Sequence, residues 1–229
     1  MMQPRRIDYH SHSTMSDGAL LPSEMLRRVA MLDTEALAIT DHVDASNMGH
    51  VIESLQKLLA QEPRDTDIHA HLLVGVELTH VAPKSIDTLA RRAKELGAEV
   101  VVVHGETIIE PVAPGTNRAA IESNAVDILA HPGLLTLEEA RLAAARGCYV
   151  EITTRQGHSL TNGHVARTCI QAGALMLVDT DAHQPSDFVT LVFAQRVATG
   201  AGLDETQVWA ATVTNPAELL QRILAARDA

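Results

Sequence analysis

Short apolar runs alternate along the chain with longer segments whose apolar residues recur at helical spacing. Most of the short runs are apolar on both faces, which is typical of strands buried in a parallel sheet. Seven strands are predicted on this basis, at residues 7–10, 36–40, 72–76, 100–103, 126–130, 149–153 and 175–178.

Helices are predicted between these strands from apolar spacing, prolines and capping residues. They span residues 22–31, 51–60, 83–96, 119–123, 137–146 and 165–171, and two more follow the last strand. Thr136 and Glu139 form a capping-box pattern, and Asn215 with Pro216 is placed to begin the final helix. Residues 61–67 and 105–115 are polar or contain proline and are predicted to be loops.

Polar residues of ligand type follow most of the predicted strands. His10 and His12 lie two residues apart in an extended segment, so both imidazoles can point to the same side. The later strands end in the same way, and the full set is His10, His12, Asp17, His42, Glu77, His104, His131, Asp181 and His183. Nine nitrogen and oxygen donors without sulfur are too many for one ion and suit two or three Zn, Mn or Fe ions.

The donor set decides between two arrangements of a parallel sheet whose strands alternate with helices. An open sheet gathers ligands near one point, whereas a closed barrel brings the carboxyl end of every strand to one mouth. Six of the seven predicted strands end in members of the set, so we predict a closed α/β barrel. The sequence contains no linker-like segment, and residues 1–229 are expected to form one domain.

Composition narrows the choice of partners. The formal net charge is −11, and this disfavours nucleic acid, because affinity for phosphate backbones comes mainly from clustered Lys and Arg. Aromatic residues make up 2% of the chain, so the core must consist of Ala, Val, Leu and Ile. Two cysteines cannot form a disulfide framework. Without a signal peptide or a membrane span, a cytoplasmic protein with no membrane partner is expected, while its oligomeric state is not predicted.

The ordered motifs resemble a known family. They are HxH at 10–12, SDG at 16–18, TDH at 40–42, GVE at 75–77, VVVHGE at 101–106, AHPG at 130–133 and DAH at 181–183. This order resembles the PHP (polymerase and histidinol phosphatase) superfamily, specifically its small stand-alone phosphoesterases such as histidinol-phosphate phosphatase. Amidohydrolases also begin with HxH on a barrel strand, but they usually continue with a metal-bridging Lys and have no Glu that matches Glu77.

The resemblance implies a distorted TIM-like (β/α)7 barrel of seven parallel strands with three divalent metal positions. The first would be held by His10, His12, Glu77 and Asp181, the second by Glu77, His104 and His131, and the third by Asp17, His42 and His183. Some relatives have His in place of Asp17, so we expect the third position to bind more weakly or to prefer a harder ion such as Mn.

The hypothesis for catalysis is that a hydroxide bridging two metals attacks phosphorus in line, with Glu77, Asp181 and His183 in the catalytic group. Arg155 follows the one predicted strand that does not end in a donor. It could bind phosphate oxygens, or it could be a surface residue.

Other polar residues are weaker candidates. His158 and His164 flank the loop after Arg155, and they could contact the substrate or protonate the leaving group, or simply be solvated. Asn117 and Arg118 follow the long loop and are further candidates for substrate contact. Asp8, Asp41 and Glu106 adjoin donors and could orient them. His50, His69, His71 and His80 lie outside the pattern and are expected to be structural or exposed.

The expected function is hydrolysis of a small phosphate monoester, such as histidinol phosphate or another phosphorylated metabolite. One alternative is a nuclease, against which the acidity and the lack of aromatic stacking residues count. A second alternative is a non-catalytic RNA-associated subunit like that of RNase P, a kind of relative that need not keep its metal ligands.

Overall fold

Seven parallel strands form a nearly closed barrel, with helices in most of the connections between them. The computed structural model describes residues 3–61 and 70–227. Its strands are β1 (Arg6–Asp8), β2 (Thr34–Ile39), β3 (His42–Val43), β4 (His71–Leu78), β5 (Val100–His104), β6 (Ile128–Ala130), β7 (Tyr149–Thr153) and β8 (Met176–Asp179). They pair in the order β1-β2-β4-β5-β6-β7-β8, and the short β3, which was not predicted, pairs with β4 beyond β2. The predicted (β/α)7 TIM-like barrel is confirmed.

The helices pack around the barrel close to their predicted positions. They are α1 (Pro22–Ala30), α2 (Met48–Gln61), α3 (Ile86–Glu95), α4 (Thr116–Glu122), α5 (Leu137–Arg146), α6 (Asn162–Ala172), α7 (Leu191–Gly200), α8 (Glu205–Trp209) and α9 (Asn215–Arg227). The capping box of Thr136 and Glu139 is present at the start of α5. Residues 105–115 form the predicted loop, whereas the predicted loop at 61–67 lies, after Gln61, outside the described residues. Within residues 3–61 and 70–227, no helix is long and apolar enough to cross a membrane.

Two helical segments follow β8 as predicted, but the last one begins at Glu205, ten residues before the predicted cap at Asn215. After α7, the helix α8 continues through a wider π-helical turn at Ala210–Thr214 directly into α9. Asn215 therefore lies inside a continuous helical segment and does not cap it. Its amide Nδ2 donates instead to the carbonyl oxygen of Met176 in β8, at 2.8 Å, and this contact ties the last helix to the barrel.

Side chains complete the seam between β8 and β1. The backbone contributes one isolated bridge, in which His12 N donates to the Ala182 carbonyl at 2.8 Å. The buried carboxylate of Asp8 accepts from Thr180 N at 3.0 Å and Thr180 Oγ1 at 2.7 Å, and it lies 3.2 Å from Arg6 Nη2. Arg6 also donates to the Val178 carbonyl at 3.1 Å. These polar contacts replace the regular hydrogen bonds that a fully closed sheet would have here.

Alternating side chains divide the core into two layers. In β5, Val100 and Val102 point into the barrel, whereas Val101 and Val103 pack against the surrounding helices. The interior also receives apolar side chains of the other strands and of α9, including Leu219. Because apolar residues fill the barrel interior, the polar side chains at the carboxyl ends of the strands are confined to the mouth.

Candidate metal centre

The nine predicted donors meet at the mouth of the barrel. Their ligand atoms belong to overlapping groups in which all atoms lie within 4.8 Å of one another. The first two groups contain His10, His12 and Glu77, and His10, His131 and Asp181. Donors separated by up to 173 positions therefore converge, as expected for parallel strands that all end at one edge.

His10 and His12 each lie close to a carboxylate. His10 Nε2 is 3.2 Å from Glu77 Oε1, and His12 Nε2 is 3.1 Å from Asp181 Oδ1. Both histidines and Glu77 are completely or almost completely buried. The four residues predicted for the first metal position therefore lie together.

Asp17 is the centre of a second cluster near the surface. Its Oδ1 lies 3.4 Å from His42 Nε2 and 3.2 Å from His183 Nε2, as the third predicted position requires. His12 also belongs to this group, so one imidazole stands between two candidate positions.

A further group contains a histidine that was predicted for another role. His104 and His131 lie together with His158, which was a candidate for substrate contact. The ring of His158 stacks on His131 with 4.1 Å between centroids, and its Nδ1 lies 2.8 Å from Thr107 Oγ1. Glu77 was predicted to be the third donor of the second metal position, and its Oε1 lies 3.8 Å from His131 Nε2. The second position therefore has three imidazoles beside it.

Two of the donors are held in an unusual backbone conformation. His131 has φ +24° and Asp181 has φ +50°, in the region that residues other than glycine rarely adopt. Such backbone conformations cost free energy and persist where the surrounding structure fixes them, often at functional sites. His131 directly follows β6 and Asp181 lies two residues after the end of β8, and the turns aim their side chains into the group.

Glu151 is a functional candidate that the sequence analysis missed. It lies within β7, and its Oε2 is 2.7 Å from Nδ1 of His10. This contact leaves His10 Nε2 free to face the other donors. A charged residue in the middle of a buried strand was the available signal, because such strands are otherwise almost entirely apolar.

The predicted orienting residues contact the backbone and neighbouring loops instead of the donor rings. Asp41 accepts from Ser13 and Ser16 and so holds the loop that carries Asp17. Asp8 belongs to the seam, and Glu106 accepts from the backbone N–H groups of residues 115 and 117. Donor rings are oriented by other groups, which include Thr79 beside His42 and the Asp181 carbonyl beside His183.

Arg155 lies beside the group at the end of β7. Its Nη1 is 3.0 Å from Asp187 Oδ2, and Asp187 also accepts from the backbone N–H of His183. The two side chains line a cavity of about 430 Å³ together with Gln156 and Phe193. A role for Arg155 in phosphate binding stays a prediction.

Other candidates are held away from the donors. Arg118 donates to Glu122 and Glu138 on the outer surface, so its predicted substrate contact has no support in these contacts and stays a prediction. Asn117 donates to the Pro132 carbonyl, and His164 contacts the Leu135 carbonyl. His50 and His71 are exposed, and His69 lies outside the described residues. His80 is exposed as well, but its ring centroid lies 5.2 Å from that of His104.

Burial and neighbouring charges shift the pKa values in the group in opposite directions. Burial would lower the pKa of His10, but the carboxylates of Glu151 and Glu77 hold it well above its usual value. Burial and nearby imidazoles hold the pKa values of His12 and His131 well below theirs. Burial would raise the pKa of Glu77, but the imidazoles around it, His10 first, keep it well below normal. The ionised carboxylate of Glu77 and the neutral imidazoles of His12 and His131 are the forms in which these residue types bind metals.

The buried polar atoms fit divalent metal ions. Among the described residues, His10 Nε2, His12 Nε2, Glu77 Oε1 and His131 Nε2 have no hydrogen-bond partner although they are inaccessible to solvent. Burying polar atoms without partners is costly, and a coordinated cation would supply the missing interaction. Imidazole nitrogens with carboxylate oxygens suit Zn, Mn or Fe.

Several solved structures share this fold, and two of them are informative. Histidinol phosphate phosphatase from Lactococcus lactis superposes with a TM-score of 0.61 at 14% identity, covering 87% of this chain and 95% of that chain. A chain in the structure of archaeal ribonuclease P with mature tRNA gives a TM-score of 0.66 at 16% identity, covering 97% and 91%. At such low identities the likeness establishes the fold alone.

Sequence comparisons are more specific. The 5'-3' exoribonuclease of Escherichia coli is 25% identical over 169 residues, 72% of this chain and 48% of that enzyme, so the chain spans about half its length. An uncharacterized protein of Methanocaldococcus jannaschii is 45% identical over 218 residues, 95% of this chain and 100% of that protein. A family model described as the PHP domain matches residues 8–124, which carry the donors from His10 to His104. The chain therefore belongs to the PHP domain family.

Proposed function

We propose that the protein is a metal-dependent phosphoesterase that hydrolyses a small phosphate monoester. The observation that carries the proposal is the convergence of nine nitrogen and oxygen donors, seven of them buried, at one mouth. A cluster of this size, with the neutral imidazoles of His12 and His131 beside ionised Glu77, has little purpose unless it binds cations. The membership in the PHP domain family supports a hydrolase.

Two or three divalent ions would be held by the three groups already described. His10, His12, Glu77 and Asp181 would hold the first, and His104 and His131 the second, with His158 and Glu77 beside it. Asp17, His42 and His183 would hold the third. When bound, such ions neutralise phosphate charge and lower the pKa of coordinated water toward about 7.

Side chains of the protein would bind the ester and donate a proton to the leaving oxygen. The Thr107 hydroxyl fixes Nδ1 of His158, so Nε2 faces the group and lies 3.9 Å from Asp181 Oδ2. Burial lowers the pKa of His158, and this makes its protonated form a better acid toward a leaving oxygen. Arg155, beside the cavity, would bind non-bridging phosphate oxygens.

A small alcohol is the favoured leaving group. The cavity beside Arg155 has a volume of about 430 Å³, which accommodates a metabolite and not a folded polymer. The related structure from Lactococcus lactis holds zinc, L-histidinol and phosphate, so histidinol phosphate is the first ester to test.

The test is phosphate release from a panel of small esters by the protein reconstituted separately with Mn²⁺ and Zn²⁺. The panel includes histidinol phosphate, sugar phosphates and nucleoside monophosphates, and elemental analysis of the same samples counts the ions. Glu77→Gln should reduce kcat by about 100-fold or more, because the change removes a buried charge among the donors. Glu138→Gln, an exposed carboxylate on α5, is the control. Absence of phosphate release from every ester in both metal forms would refute the proposal.

Arg155 has its own test. Arg155→Ala should raise KM or lower kcat by about tenfold or more if the guanidinium binds phosphate. Arg118→Ala is the paired test, and unchanged kinetics are expected because its guanidinium is held by two surface carboxylates. Wild-type kinetics in Arg155→Ala would remove Arg155 from the substrate site.

A nuclease is the second candidate function, because 72% of the chain aligns with the Escherichia coli exoribonuclease. The net charge of −11 counts against it, since binding to a phosphate backbone depends on cationic groups. Similarity to a chain of archaeal ribonuclease P keeps a non-catalytic RNA-associated role as a third candidate. Assays on 5'-phosphorylated oligoribonucleotides at about 0.15 M salt distinguish these candidate functions. Faster turnover of the oligonucleotide than of every monoester would favour the nuclease, and RNA binding without turnover would favour the third candidate.

A further inference from the structure

A second set of polar side chains lies at the solvent side of the proposed metal centre. Glu110, in the loop between β5 and α4, has Oε2 at 3.2 Å from His80 Nε2 and 3.2 Å from His104 Nε2. Its other oxygen lies 3.4 Å from His158 Nε2. Neither Glu110 nor His80 was among the predicted donors, yet both converge on His104.

The spacing of these atoms matches ligands of one cation. Donors about 2.0 Å from a tetrahedral ion lie about 3.3 Å from one another. Charge-assisted hydrogen bonds between nitrogen and carboxylate oxygen are shorter, at about 2.7–2.9 Å. The ligand atoms of His80, His104 and Glu110 all lie within 4.8 Å of one another, so the three can face a common point.

The backbone of His80 has a positive φ, as do those of the inner donors His131 and Asp181. Its φ is +52°, and the residues other than glycine with positive φ in the described ranges are Asp33, His80, His131 and Asp181. This conformation has a free-energy cost, and here it directs the His80 ring toward Glu110.

Exposure separates this set from the inner donors. The side chains of His80 and Glu110 are 42% and 35% exposed, whereas that of His104 is 4% exposed. An ion arriving from solvent would therefore meet His80 and Glu110 before it reached the buried imidazoles. His104 is the member common to this outer set and to the inner group with His131 and His158.

We propose that His80, Glu110 and His104 form a further divalent-cation position, of the Zn²⁺ or Mn²⁺ class, from which an ion loads the centre. Nε2 of His104 binds one ion at a time, so the outer and inner positions are alternatives. An ion moves inward when His131 and Glu77 replace His80 and Glu110 as its ligands. The inference rests on the proposed metal centre and adds a route by which the centre is filled.

The test measures metal uptake by the chelator-treated full chain in a stopped-flow instrument. Zn²⁺ alone is the probe, and a chromophoric chelator reports its free concentration. His80→Ala and Glu110→Gln should each slow the uptake of one ion by about tenfold, while the final number of bound ions stays that of the wild type. His71→Ala is the control, because His71 is exposed at the start of β4, the opposite end of the barrel.

The outcomes distinguish the two proposals. Wild-type uptake rates in both variants would overturn the loading position and leave the metal centre intact. A wild-type chain that binds fewer than two ions at saturation would instead overturn the metal centre. Both substituted side chains are partly exposed, so the variants should fold, and circular dichroism of the metal-free proteins checks this.

Discussion

At the scale of single residues, Glu151 decides how His10 is presented to the other donors. Its carboxylate lies 2.7 Å from His10 Nδ1, so Nδ1 keeps its proton and Nε2 is the ring nitrogen that faces Glu77. A carboxylate that accepts from the distal nitrogen also makes a histidine a more basic ligand.

Glu151→Gln should weaken metal binding by about 10- to 100-fold, because the neutral amide orients the His10 ring less strongly. Competition with a chromophoric chelator measures the affinity. Glu138→Gln is the matched control, since Glu138 is exposed on α5 and pairs only with Arg118 among the described contacts. Unchanged affinity in Glu151→Gln would show that the fold alone orients His10.

At the scale of elements, the tight loop after β1 brings Asp17 back to the donors. Gly18 N donates to the Ser13 carbonyl at 2.9 Å, and the carboxylate of Asp41 binds Ser13 and Ser16. A Cβ atom at Gly18 would lie only 2.0 Å from the carbonyl oxygen of His12. The close approach requires glycine, and it fixes where Asp17 stands.

Gly18→Ala should therefore displace the loop and reduce the bound metal by one ion, with a lower Tm. Elemental analysis after dialysis gives the ion count, and a thermal scan gives the Tm. Gly49→Ala is the control, because a Cβ at this position in α2 meets nothing within 4 Å and alanine favours the helix. A full ion count in Gly18→Ala would mean that the loop can adjust.

The seam between β8 and β1 is a second feature at this scale. Asp8 and Arg6 are both 2% exposed, and Asp8 is hydrogen-bonded to Thr180 across the seam. Asp8→Asn should lower the free energy of unfolding by about 3 kcal/mol, because it leaves a buried Arg6 without its partner charge.

Urea unfolding measures the effect of Asp8→Asn. Asp33→Asn is the control, since the exposed Asp33 pairs with Arg5 at the surface and should contribute little. Its φ of +59° is one that asparagine tolerates. Equal stability of the two variants would show that the seam does not depend on this ion pair.

At the scale of the whole molecule, packing many imidazoles and carboxylates at one mouth makes the metal-free protein sensitive to pH. Burial lowers the pKa values of His12 and His131, so below about 6.5 the unfolded chain binds more protons at these residues and stability rises with pH. Burial would also lower the pKa of His42, but Glu77 and Asp17 raise it to about 10. Above 6.5 the folded chain therefore binds more protons at His42, and stability falls with rising pH.

The Tm of the chelator-treated protein should thus pass through a maximum near pH 6.5 and fall toward pH 10. A series of thermal scans between pH 5 and 10 measures this profile. His42→Gln should remove part of the alkaline decrease, because the raised pKa of His42 contributes to it together with those of His10 and His104. A Tm that stays constant between pH 7 and 9 would contradict this assignment.

Much of this molecule follows from the sequence alone, because the relevant patterns are local. Apolar runs predicted the strands of the barrel, and the residue after each run predicted most donors. The physical reason is that parallel strands all point their carboxyl ends to one edge, so position along a strand fixes position at the mouth. The capping box of α5 could also be predicted because it is local: its two partners are three residues apart in the sequence.

Tertiary structure alone decided which donors share a position. His10 and Glu151 are 141 residues apart, and the inclusion of His158 and Glu110 beside His104 depends on how two loops fold over the mouth. The misread Asn215 is a similar case, because its partner Met176 lies in a distant strand. Local periodicity sets the direction of a side chain, whereas barrel curvature and loop packing set its distance from residues elsewhere in the chain.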